Sequence, residues 1–221
     1  MKNVAKVAEV WRAQLEGQAG LAPDEKTYSP FLFHQAQRSG LILEVGAGRG
    51  RMAKVLKQNG ISATLVGLDL NAEVREGPCL PVKGDARSLP FSSNSFDLVY
   101  SLGVVKHFPE TDRALAEQVR ILKKGGQVLV TTPRRSLFTP LRWMVWFLRE
   151  RKRATFEEIR GRNLSLRQVR ACLEKEGIQI LSAGAFGFFP NLPPSITHGI
   201  FRLIPERIFG AYLWCLGEKV S

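Results

Sequence analysis

Apolar residues recur along this chain in two rhythms, a helical one and a short continuous one. Val4, Val7, Trp11 and Leu15 fall at helical spacing, so residues 2–17 are predicted to form an amphipathic helix. Residues 18–30 carry Gly20, Pro23 and Pro30 and read as loop, followed by a short helix over 31–37. Leu41-Ile42-Leu43-Glu44-Val45 is a buried-type strand that runs into Gly46-Ala47-Gly48-Arg49-Gly50. Met52, Val55 and Leu56 then resume helical spacing until Gly60. Further strands are predicted over 63–68, ending at Asp69, and over 80–83, 97–100 and 127–132. The segment 110–122 reads as a helix with Leu115, Val119 and Leu122 inward, closed by Gly125-Gly126. Ser165 and Gln168 have the spacing of a capping box, and the helix they open ends at Gly177. Two last strands are expected over 178–185 and 210–217, separated by the Pro-rich stretch 188–206.

Strands alternating with helices imply βαβ units. The expected fold class is α/β: a doubly wound, mostly parallel seven-stranded sheet with helices on both faces. Residues 134–164 break the rhythm and are expected to form a helical cap insertion after the fifth strand. The whole chain, 1–221, then reads as one domain. Its parts are an N-terminal helical region (1–39), a core (40–133), the cap (134–164), and the rest of the sheet (165–221) with a loop insertion at 186–209.

In open α/β sheets ligands bind outside the carboxyl ends of the strands. The candidate residues fall there repeatedly. Gly46, Gly48 and Gly50 follow the first strand, where a side chain would block close approach of a ligand to the backbone. Asp69 ends the second strand about twenty residues later, a distance that suits a grip on a ribose diol. Asp85 follows the third strand and Ser101 the fourth. A nicotinamide-binding fingerprint is excluded: counted from Gly46 the sixth position is Arg51, and counted from Gly48 it is Ala53.

Taken in order, these segments resemble a known family. Leu41 to Gly50 resembles the first motif of class I, Rossmann-like S-adenosylmethionine-dependent methyltransferases, and Gly67-Leu68-Asp69-Leu70-Asn71 the second. Lys83-Gly84-Asp85-Ala86-Arg87-Ser88-Leu89-Pro90-Phe91 resembles the third; Ser95 to Ser101 and Leu122 to Gly126 complete the set. The resemblance covers residues 40–133 and is nearest the small-molecule group that includes ubiquinone and menaquinone biosynthesis methyltransferases. It implies S-adenosyl-L-methionine as cofactor, without metal. It also implies roles: Gly46, Ala47, Gly48 and Gly50 against the methionine part, with Glu44 orienting that loop. Asp69 would hold the ribose and Leu70 pack on the adenine. Asp85 and the Ala86 amide would take the adenine edge, and Ser101 would line the sulfonium end.

Methyl transfer from a sulfonium needs alignment and exclusion of water, and a base only if the acceptor must lose a proton. His107 is the candidate base, in Val104-Val105-Lys106-His107-Phe108. The family segment often has two adjacent histidines, and Lys106 replaces the first. His34 and His198 lie outside the motifs. Ser101-Leu102-Gly103-Val104 lacks the Asn/Asp-Pro-Pro-aromatic motif of enzymes that methylate base or glutamine amino groups, which disfavours a nucleic-acid acceptor.

Charge sharpens the question of the acceptor. The chain of 221 residues has a formal net charge of +12. Between Arg134 and Arg170 eleven Lys/Arg stand against three Glu, so +8 of it is concentrated there. Within that stretch Thr139 and Pro140 can open a helix carrying Leu141, Trp143, Met144, Val145, Trp146, Phe147 and Leu148, followed by Arg149, Arg151, Lys152 and Arg153. An apolar cap with a basic end suits a small, largely apolar or lipid-like acceptor with an anionic group, or contact with a membrane surface through 138–153. Residues 186–209 would form the other wall. Two alternatives remain: methylation of RNA or another macromolecule through the basic insertion, and a non-catalytic partner subunit of the same fold. Cys79, Cys172 and Cys215 are too widely spaced for a disulfide framework and read as reduced thiols. The N-terminal residues have no continuous apolar leader, so a cytoplasmic location is expected.

Overall fold

In the computed structural model, residues 29–70, 77–134, 163–186 and 212–220 are described, with Met144, Gly161 and Gly210 as isolated positions. The expected helix at 2–17, nearly all of the cap at 134–164 and the Pro-rich stretch 188–206 lie outside the described residues.

Seven strands form one sheet: β1 (Leu41–Val45), β2 (Thr64–Asp69), β3 (Leu80–Lys83), β4 (Phe96–Leu102), β5 (Leu122–Pro133), β6 (Ile178–Phe186) and β7 (Tyr212–Lys219). Their order across the sheet is β3-β2-β1-β4-β5-β7-β6. The pairs from β3 to β5 are parallel. β7 runs antiparallel between β5 and β6. The sheet is thus mostly parallel, as the alternation of elements predicts.

Among the described residues four α-helices cover it: α1 (Ser29–Ala36), α2 (Arg51–Gln58), α3 (Thr111–Ile121) and α4 (Leu166–Lys175). Side chains alternate across a strand, so each strand feeds two cores. Leu43, Val45, Val99, Val128 and Val130 pack with Leu115 and Val119 of α3 and Val169 and Leu173 of α4. Ile42, Leu98, Tyr100 and Leu129 pack with Leu32 of α1 and Met52, Val55 and Leu56 of α2. The continuous apolar runs of the central strands follow from burial on both faces.

Boundaries shift by a residue or two at several elements, among them α1, which begins at Ser29, and three departures matter most. β4 extends to Leu102, so Ser101 is inside the strand rather than just beyond it. β5 begins at Leu122, directly after α3. Its register jumps from the Phe96↔Leu122 pair to Leu98↔Gln127, so Lys123 to Gly126 are extruded between two paired stretches. β7 begins and ends two residues later than expected.

Candidate functional site

The strand order reverses between β1 and β4, and the crevice outside their carboxyl ends is where such sheets bind ligands. The loop after β1 turns through three glycines with positive φ, Gly46 (77°), Gly48 (54°) and Gly50 (73°). A Cβ at Gly46 would collide with the Val104 side chain, which follows β4. The two loops that flank the switch point are therefore in contact, and glycine is required on both conformational and steric grounds.

The shape of the loop is fixed from β2. The amides of Gly46 and Ala47 both donate to the Leu68 carbonyl, at 2.7 and 3.0 Å. The Gly48 amide donates to Asp69 Oδ2 at 2.9 Å. Asp69 thus braces the loop as well as standing beside it. Leu70, the next residue, is half-buried.

Glu44 is buried in β1, and the Tyr100 hydroxyl donates to its Oε2 at 3.0 Å. The two residues are paired across β1 and β4, so their side chains leave the same face of the sheet. Tyr100 was not among the candidates read from sequence. A tyrosine inside a largely buried strand was the available signal, because a buried phenol needs a partner.

Asp85 follows β3, and its carboxylate accepts from the Arg87 amide at 2.8 Å and from the Arg87 guanidinium, the shortest contact being 2.7 Å. That hydrogen-bonded guanidinium, the largest influence on it, holds the Asp85 carboxyl below the usual carboxylate range. Ala86 is buried beside it.

Ser101 is fully buried in β4, paired with Val45 of β1 and with Val130 of β5. Its Oγ has no hydrogen-bond partner; among the described residues the same is true of Thr132 Oγ1, Gln118 Oε1 and Gln127 Oε1. Thr132 lies two residues beyond Val130, so it shares a face with Ser101 near the carboxyl ends of two adjacent strands. Buried hydroxyls without partners are uncommon. Sequence reasoning singled out Ser101 but passed over Thr132.

His107 ends a single 3-10 turn (Val105–His107) and is half-buried, while its neighbour Lys106 is buried. His34 lies on α1, exposed, and His198 falls outside the described residues. No cysteine is poised as a thiolate. Burial pushes Cys215 up to about 12 and Cys172 up to about 11, the latter helped by its contact with Asp112. Burial also raises Cys79. Among the described residues no group of three His, Cys, Asp or Glu side chains is placed to hold a metal ion, and no helix is long and apolar enough to cross a membrane.

Residues 43–130 match the family model described as a methyltransferase domain. Among curated proteins the chain is similar to phthiotriol/phenolphthiotriol dimycocerosates methyltransferase 1 of Mycobacterium ulcerans, 39% identical over 103 residues, which are 43% of this chain and 38% of that protein. It is also similar to the fatty-acid O-methyltransferase of Mycolicibacterium smegmatis, 37% identical over 120 residues, or 48% of this chain and 44% of that protein. The chain therefore spans less than half the length of these relatives. A solved SAM-dependent methyltransferase of Thermotoga maritima superposes with a TM-score of 0.62 over 96% of this chain and 99% of that one, at 19% identity. The glycine loop, Asp69, Asp85 and Ser101 all lie inside the segment that matches the methyltransferase domain, and the sheet that carries them has the Rossmann-like, seven-stranded fold.

Proposed function

We propose that the chain is an S-adenosylmethionine-dependent methyltransferase that acts on a small, largely apolar, lipid-like acceptor. The observation that carries the first half is the union of glycine loop and acid at the switch point: Gly48 N–H to Asp69 Oδ2, 2.9 Å. The residues fit the cofactor in two further respects. The positive-φ glycines leave three of the five loop positions without side chains, and Ser101 presents a buried hydroxyl that has no partner of its own.

S-adenosylmethionine supplies, when bound, a methyl group already activated on a sulfonium. The chain's residues then have to bind, orient and exclude water. Asp69 would take the ribose hydroxyls by charge-assisted hydrogen bonds while bracing the loop. Asp85 would accept from the adenine amine and the Ala86 amide would donate to the ring, with Leu70 packed on its face. The loop Gly46, Ala47, Gly48 and Gly50 would lie along the methionine part, steadied through Glu44 and its Tyr100 bond. His107 would take a proton from an acceptor that must lose one.

The lipid-like acceptor is supported by the two curated relatives, whose names specify dimycocerosates and fatty acids. Its walls would be residues 138–148 and 186–209; of these two positions are described, Phe186, buried and stacked on Tyr212 with ring centroids 5.5 Å apart, and Met144, exposed. Titration calorimetry with S-adenosylmethionine and S-adenosylhomocysteine tests the cofactor. Both should bind, and Asp69→Ala should weaken binding by about 1.5–3 kcal/mol, the worth of hydrogen bonds to a charged group. Binding by neither overturns the reading. For the acceptor, S-adenosylhomocysteine release should appear with apolar acids or quinol-type rings. Release with RNA instead, together with steeply salt-dependent RNA binding, would overturn the small-molecule half.

A further inference from the structure

Arg87 stands in the third motif, yet neither the motif nor the relatives give it a role. Its guanidinium closes a fork on Asp85. Nη2 donates to Oδ2 at 2.7 Å, and Nε is shared between Oδ1 at 3.1 Å and Oδ2 at 3.2 Å. The Arg87 backbone N–H adds a bond to Oδ1 at 2.8 Å. The outer arm, Nη1, donates to Glu110 Oε2 at 3.1 Å. The guanidinium carbon lies 5.4 Å from the ring centroid of Phe108, which is buried in the core under α3.

Two separate parts of the chain thus fix one side chain: Asp85, and the segment with Phe108 and Glu110 that leads into α3. Glu110 occupies the N-cap position of α3 but makes no cap hydrogen bond with its side chain, and its carboxylate goes to Arg87 instead. A carboxylate offers about four lone-pair positions. The Arg87 amide and Nε hold Oδ1, and Nη2 with the longer arm of the shared Nε holds Oδ2, so an outside donor would displace only that longest contact, Nε to Oδ2. An unforked aspartate after a strand turns freely about its side-chain torsions and can present either face. Here the fork engages both oxygens and holds one arrangement.

We infer that Arg87 is a positioning residue: its fork fixes the Asp85 carboxylate in the one orientation from which it selects a purine carrying an exocyclic amine over one carrying an oxo group. The inference rests on the reading of Asp85 as the partner of the cofactor's adenine. The other charged groups about Asp85 are Arg113 of α3, which adds a weaker positive field, and Glu110, which opposes it through Arg87.

The test is calorimetry with S-adenosylhomocysteine and with S-inosylhomocysteine, in which the amine is replaced by an oxo group, on the wild type, Arg87→Ala and Arg87→Lys. The wild type should prefer the amino compound by tens-fold or more. Arg87→Ala should lose about tenfold in affinity for it, the scale of one charged hydrogen bond, and the preference should shrink to a few-fold. Arg87→Lys keeps the charge without the planar fork, so it should recover affinity but only part of the preference. Thermal melts establish that each variant is folded, and the lysine variant keeps the question open to refutation if the alanine variant is not. Arg87→Ala with an unchanged preference overturns the inference while the proposed function stands; so does tighter binding by Arg87→Ala, the result expected of a competitor for Asp85. A wild type that binds neither compound overturns the proposed function itself.

Discussion

Gly46 shows what a single methyl group would disturb. Its φ of 77° disfavours any side chain, and a Cβ would also meet Val104. Gly46→Ala should therefore destabilise the protein by about 2–3 kcal/mol, a left-handed penalty plus overlap. In a Val104→Ala background only the dihedral part should remain, so the two changes should be non-additive in urea denaturation. The sequence marks Gly46 as a glycine that matters. It does not disclose Val104, 58 residues along the chain, because that contact exists only once β1 and β4 lie side by side. Asp97 makes the same point at the opposite, amino end of the central strands. Its Oδ2 accepts from the amides of Gly40 and Leu41, at 2.9 and 2.8 Å, and its Oδ1 from Lys123 Nζ at 2.7 Å. Burial pushes its carboxyl up, but Lys123 and the two amides together more than offset this, and the net shift is downward. A carboxyl lowered in the folded state contributes stability above its unfolded pKa of about 4, and that contribution is lost as pH falls through the folded value. Asp97→Asn should accordingly reduce stability at pH 7 and flatten its decline between pH 5 and 3, as read from urea midpoints.

At the scale of elements, what is local was legible and what is not local was hidden. The capping box of α4 is present as the spacing predicts. Ser165 Oγ accepts from the Gln168 amide at 3.2 Å and Gln168 Oε1 accepts from the Ser165 amide at 2.9 Å. Ser165→Ala should cost about 1 kcal/mol, measured as a lowered midpoint of chemical unfolding with an unchanged slope. Gly125-Gly126, by contrast, looks like a helix stop followed by a loop. In the fold β5 starts before it and resumes after it, since Leu122 has already paired with Phe96. Gly126 sits where a Cβ would press on the Lys123 carbonyl at 2.8 Å and the Phe96 carbonyl at 3.1 Å, so the extruded turn needs a glycine against the neighbouring strand. The site divides in the same way. Gly46, Gly48, Gly50, Asp69 and Asp85 were legible because each simply ends or follows a strand. The Tyr100–Glu44 bond and the Arg87–Glu110 pair were not, because they join separate elements.

The whole molecule is tied together by β7. Lys219, at its end, reaches the far end of α3: Nζ donates to the carbonyls of Val119 and Leu122 at 3.1 and 2.9 Å and to Asn94 Oδ1 at 3.0 Å. A cation there satisfies carbonyls that a helix leaves unpaired and lies at the favourable end of its dipole. Lys219→Met keeps the length of the side chain but leaves those oxygens without their donor. It should cost roughly 1–3 kcal/mol and speed hydrogen exchange at the end of α3 in particular.

The placement of β7 also orders events in time. β5 and β6 both precede it in the chain, yet they meet only through it. Until β7 arrives, the apolar edge of β5 is open along Val128, Leu129 and Val130, and β6 has no strand partner at all. Such an edge is a template for any other extended chain that reaches it first. A newborn molecule is therefore most vulnerable to mispairing with its neighbours late in folding, after α4 is formed, and slow or crowded synthesis should tell on its yield more than on the stability of the finished protein.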